Sequence, residues 1–179
     1  MDEFLANIRS VLITTPARWL SLAQTLPSEL LERKPEPGEW SAVECLSHLI
    51  DTDRVFNFRI QCFLTGEDFP AFNPNVEGSP VSARSIQDLA AEFSTLRTTS
   101  LKSLETLSAA DLDRRARHAE LGPVTLRQML NEWAAHDLMH TVQAERALMQ
   151  PLIDEAGPWQ RYFLDHWVER PGVNHRREK

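Results

Sequence analysis

Two histidines, His136 and His140, stand four residues apart in a stretch whose apolar residues recur at helical spacing. Residues four apart on a helix share one face, a turn from each other, so both imidazoles can reach a single ion. Imidazole is the commonest side-chain ligand of transition metals and binds in its neutral form through either ring nitrogen. The spacing alone also suits two packed or surface histidines. It departs from the zinc-protease pattern, which needs a glutamate directly after the first histidine, where Asp137 stands. His48 shifts the balance: it follows Cys45 and Leu46 and precedes Leu49 and Ile50, which turns it inward on an earlier helix. If the two helices are neighbours, three histidines meet, and three protein ligands leave coordination positions for water or substrate.

The elements that must position these rings read as helices. Leu5, Ile8, Leu12, Trp19, Leu22, Ala23 and Leu26 predict a first helix over Phe4 to Leu26, which Pro16 should kink or restart. A proline-rich link, 34–39, leads to the capping box Ser41 to Glu44 and a second helix running to about Leu64, ended by Gly66. Residues 67–80, with three prolines and no period, form a long ordered loop. Ile86, Leu89, Phe93, Leu96, Leu101 and Leu107 mark a third helix from about Ser85, and Ser108 starts a short extra turn. A second capping box, Thr125 to Gln128, opens a fourth helix to about Met149, stopped by Pro151. Gly157-Pro158 opens a short last helix with Trp159, Phe163 and Trp167 at steps of four. No segment carries a strand signal. The fold class is all-α, a four-helix bundle with short extra helices, in one domain over residues 1–170, followed by a basic, disordered tail at 171–179.

A ligating histidine usually donates its other N–H to a carboxylate, carbonyl or water. Asp51, three after His48, is the first choice, with Glu132, four before His136, and the adjoining Asp137 in competition; for each the alternative is a solvated carboxylate or helix-surface ion pair. Cys45, one turn before His48, could add a thiolate or be a small core residue. His118 and His166 read as structural, and Trp40, Trp133 and Trp159 as core. Arg54 and Arg59 could reach an anionic substrate or form surface ion pairs.

A net charge of -7 excludes a phosphate-binding face, so nucleic acid is not a partner. The acidic start Met1-Asp2-Glu3 and the absence of an apolar run of about 20 residues place the protein in the cytoplasm, without membrane attachment. Cys45 and Cys62, 17 positions apart on one helix, are expected as reduced thiols.

Three segments carry a resemblance: 30–41, ending Gly38-Glu39-Trp40-Ser41; Leu46-Ser47-His48-Leu49-Ile50-Asp51; and 125–140, from Thr125-Leu126-Arg127-Gln128 through Trp133 to His140. They resemble the DinB-like (DinB/YfiT-like) superfamily over nearly the whole chain, and most closely its metalloenzyme members. The resemblance implies an antiparallel four-helix bundle holding one divalent metal, commonly nickel or zinc, on one histidine of the second helix and two of the last long helix. These positions are His48, His136 and His140. Imidazoles also suit iron and copper, and manganese stands as a further alternative. The resemblance further implies a metal-dependent enzyme that activates water or a low-molecular-weight thiol, hydrolase-like or thiol S-transferase-like. The alternatives are a non-catalytic metal-binding or stress-response module and a plain bundle with buried histidines. A homodimer is expected, since such bundles often pair and the 67–80 loop carries two phenylalanines to cover. Metal occupancy should fall as pH drops through the imidazole range, about 6.5.

Overall fold

The computed structural model describes residues 2–79 and 84–168; the tail at 171–179 lies outside them. Its helices are α1 (Glu3–Thr25), α2 (Ser28–Glu32), α3 (Ala42–Thr65), α4 (Pro74–Glu77), α5 (Ile86–Glu105) and α6 (Leu126–Asp154). Asp2 opens α1 by accepting from the Phe4 and Leu5 N–H groups. Both expected capping boxes form, Ser41 with Glu44 and Thr125 with Gln128. Gly66, at φ 79°, closes α3 in the left-handed conformation that spares glycine a steric penalty.

Of the two outcomes expected at Pro16 the restart does not occur, and α1 runs unbroken through it. Three other expectations are corrected. Helix α6 continues through Pro151 to Asp154, because its last turn is tied down: Ile153 is buried, and the buried Gln150 amide donates to the Arg146 and His166 carbonyls at 2.8 and 3.0 Å. Beyond it lie two 3₁₀ turns, Gly157–Tyr162 and Leu164–His166, where steps of four no longer share a face, and Trp159 is exposed. A hairpin also appears where no strand was expected. Strand β1 (Arg115–His118) pairs antiparallel with β2 (Gly122–Thr125), Arg115 opposite Thr125 and His118 opposite Gly122. Phe69 adds to it, donating to the Arg117 carbonyl at 3.0 Å and accepting from Ala119 at 3.1 Å.

Around the bundle, α1 packs on α5 and α6, and α3 packs on the same two. The contacts give the directions. Arg9 meets Glu105 and Ala23 meets Gln87, so α1 and α5 are antiparallel; His48 meets His136 and Phe56 meets Trp133, so α3 and α6 are too. Asp53 meets Arg97 and Asn57 meets Ser100, whereas Phe4 meets Arg127 and Arg18 meets Glu145; α3 with α5, and α1 with α6, therefore run parallel. Parallel neighbours consecutive in the chain need a return crossing of about the length of α3, roughly 36 Å at 1.5 Å per residue, and by Ser79, bonded to Asp51, the chain has come back along more than half of that helix.

The core forms two clusters, one around Leu12, Phe56, Phe63 and Trp133, the other around Trp19, Leu46 and Phe93. Arg97 joins them, its guanidinium 4.9 Å from the Phe93 ring centre and 5.4 Å from that of Trp133. It is 1% exposed and donates to Asp53 at 2.7 Å, to both oxygens of Asp137 at 2.6 and 3.1 Å, and to the Leu12 carbonyl at 2.8 Å. That carbonyl is free because its helical partner, four residues on, would be the missing N–H of Pro16. Ser100 completes Asp53 at 2.6 Å. Burial alone would lower the Arg97 pKa, but the two carboxylates outweigh it and hold the guanidinium charged.

Removing one partner of a buried ionic network strands the others. Arg97→Met is expected to cost about 3–5 kcal/mol in urea unfolding, while Arg54→Met, at an exposed ion pair, stays within about 1 kcal/mol.

Candidate metal centre

Helix α3 presents His48 and helix α6 presents His136 and His140 across the antiparallel α3/α6 contact. Each offers one ring nitrogen, and the three lie within 4.8 Å of one another. The His48 and His136 Nε2 atoms are 3.1 Å apart. Two nitrogens on one tetrahedral ion, bound at 2.0–2.1 Å, sit about 3.4 Å apart. His48 and His140 are buried and His136 half-buried.

Aromatic rings set the planes of these imidazoles. Trp40 stacks on His140 at 5.6 Å and tilts against His48 at 4.9 Å. Phe72, from the 66–85 link, stacks on His48 at 6.4 Å, and Phe56 meets His136 edge-on at 5.8 Å. Trp40, half-buried and packed against the core, is thus also a wall of the site, whereas Trp133 is core alone. Beside His48 opens a cavity of about 250 Å³, lined also by Trp40, Ser47, Asp51 and Ser79.

Of the carboxylates singled out earlier, two are engaged elsewhere and the third is exposed. Asp51 takes the Ser79 N–H at 2.6 Å, the Ser79 hydroxyl at 2.8 Å and Arg54 at 3.0 Å, and so fastens the loop over the site. Asp137 gives both oxygens to Arg97, and Glu132 is exposed on α6. Among the described residues none of the three hydrogen-bonds a histidine ring. Gln143, missed in the sequence, does: His140 Nδ1–H donates to its Oε1 at 2.7 Å, which leaves Nε2 as the lone-pair nitrogen. Its position three after His140 was the available signal. His136 Nδ1 is buried and has no partner among the described residues. Cys45 is fully buried, its thiol pushed up to about 12 by desolvation, and stands outside the trio as a core residue.

Burial is the main cause that lowers all three imidazoles, His48 to about 4 and His136 to about 3; His140 is lowered too, with its bond to Gln143 opposing. Three neutral donors converge where a proton is unwelcome, a donor set that fits a divalent cation. Acid release of such an ion therefore moves below the 6.5 of free imidazole.

The sequence model of the DinB superfamily matches residues 12–144. The chain belongs to the DinB superfamily. No curated protein matches it. Among solved structures, YfiT from Bacillus subtilis, described as a probable metal-dependent hydrolase with an unusual four-helix bundle topology, superposes with a TM-score of 0.74 at 17% identity, over 85% of this chain and 90% of that one. The likeness establishes the four-helix bundle of this DinB-superfamily chain. Among the described residues no helix is long and apolar enough to cross a membrane. Phe69 is buried within the chain and Phe72 half-buried against His48, so the loop's phenylalanines already have cover.

Unfolded histidines take up protons near pH 6.5, whereas folded His48 and His136 wait until about 4 and 3. In that window the unfolded chain binds more protons, so stability is full above 6.5 and is lost as pH falls toward the folded values. Urea midpoints of metal-free protein should drop steadily between pH 7 and 4.5; a flat profile would contradict the burial of neutral rings.

Proposed function

We propose that the chain is a metal-dependent enzyme of hydrolase type, in which His48, His136 and His140 hold one divalent transition ion, zinc or nickel first. The observation that carries this reading is the convergence of three neutral ring nitrogens within 4.8 Å, beside a cavity open to a small molecule. The description of YfiT as a probable metal-dependent hydrolase supports it. An ion held by three neutral imidazoles keeps its full charge and acidifies a fourth ligand, water or a thiol, toward neutral pH.

The chain's own residues prepare the place. Gln143 fixes the His140 tautomer, while Trp40, Phe56 and Phe72 orient the rings and keep water from their faces. Asp51 holds the loop at Ser79 and so keeps the cavity beside His48 in shape. The proposed setting is the cytoplasm, with Cys45 and Cys62 as free thiols.

Untagged protein is expected to carry one divalent ion by elemental analysis. Alanine at His48, His136 or His140 should remove it while circular dichroism stays helical, and Gln143→Ala should weaken binding roughly 10–100-fold. In cobalt-substituted protein a small thiol or anion should change the visible spectrum without loss of metal, and ester or amide turnover should follow metal content. Turnover only with an added thiol would make the enzyme a thiol transferase. An unresponsive spectrum would make it a non-catalytic metal-binding module.

A further inference from the structure

A second cavity, of about 370 Å³, lies under the hairpin, lined by Arg59, Phe69, Phe72, His118, Met129 and Glu132 among others, and by none of the three histidines. Two of its walls belong to the metal centre's surroundings. Phe72 also stacks on His48, and Arg59 lies 5.9 Å from the ring of Phe56, which meets His136 edge-on.

Arg59 is the notable group. Arg54, five residues earlier on α3, is paired with Asp51 and Glu92. Among the described residues Arg59 forms no ion pair and its Nε is buried without a partner; Nη2 has two long contacts, the Pro70 carbonyl and His118 Nε2, each at 3.5 Å. The buried ring of His118 accepts the Glu120 and Leu121 N–H groups at Nδ1, at 3.1 and 3.3 Å, so in the neutral imidazole the proton sits on Nε2. Two donors thus lie side by side with no acceptor between them, the arrangement a carboxylate satisfies. Glu132, exposed on α6, lines the same cavity, and its charge and that of Arg59 act on each other without ion-pair contact. Phe69, Phe72 and Met129 supply apolar surface between the charged groups.

We propose that this cavity binds a small zwitterion with an apolar body, its carboxylate on Arg59 and His118 and its ammonium toward Glu132. As a substrate subsite of the metal centre it rests on the proposed function; as a binding site it does not. The volume suits a ligand of amino-acid size.

The test uses metal-free, chelator-treated protein, with NMR titration of L-phenylalanine, phenylacetate and phenethylamine as probes. Phenylalanine is expected to bind at least tenfold more tightly than either relative. Arg59→Met should weaken it tenfold or more with the thermal melt unchanged, and Arg54→Met should leave it as it was. Equal binding of phenethylamine, or indifference to Arg59→Met, would overturn the site, and equal binding of phenylacetate would overturn the zwitterion. Binding seen only after zinc loading and independent of Arg59 would overturn the subsite and leave the metal reading intact. Arg59-dependent binding in protein that takes up no metal would support the subsite while the metal reading fails.

Discussion

A guanidinium taken out of water must find acceptors on every side of a rigid, planar fork, or the fold loses several kcal/mol. Arg97 of α5 finds them on each of the other long helices: the Leu12 carbonyl of α1, Asp53 of α3 and Asp137 of α6. Apolar stripes alone would let helices slide or turn a little against one another at small cost. The fork does not, since its donors point in fixed directions, so it sets rotation and register together. Pro16 belongs to the same device, because the acceptor on α1 exists only where a proline leaves a helical carbonyl unclaimed.

The histidine trio depends on that setting. Successive residues on a helix are about 100° apart, so an Asp137 turned to α5 sends His136 and His140 toward α3. On α3, Asp53 faces α5 while His48, five residues earlier, faces α6. The two helices therefore show carboxylates to Arg97 and imidazoles to each other. A change in the polar core would reach the site through helix rotation, without touching a histidine.

How much of this could be read in the sequence varies with the range of the interaction. The long helices were legible from their stripes, and both capping boxes from Ser41 to Glu44 and Thr125 to Gln128, because those signals are local. The three histidines were legible by type and spacing. Arg97 was not: it interrupts the apolar stripe between Phe93 and Leu101 and looks like a solvated residue until its acceptors, 40 or more positions away, are in place. The hairpin escaped because Arg115-Ala116-Arg117-His118 is short and lacks an alternating apolar face; pairing with β2 and Phe69 makes it a strand. Arg59 read as a cation for an anionic substrate or a surface ion pair, and His118 as structural; that the two share a cavity could not be read, since the loop and hairpin that gather them are distant in sequence.

The crossing of the chain has a temporal consequence. His48 and His136 are 88 residues apart, and both partners of His48 ride on the last long helix of the bundle. During synthesis His48 emerges alone, and the trio is complete only when α6 has left the ribosome and docked against α3. A nascent chain offers a single imidazole and an undocked α6 at most a pair, which hold an ion more weakly than the complete trio. Capture of a metal by this architecture would then mark the end of maturation, separating finished molecules from those still in assembly.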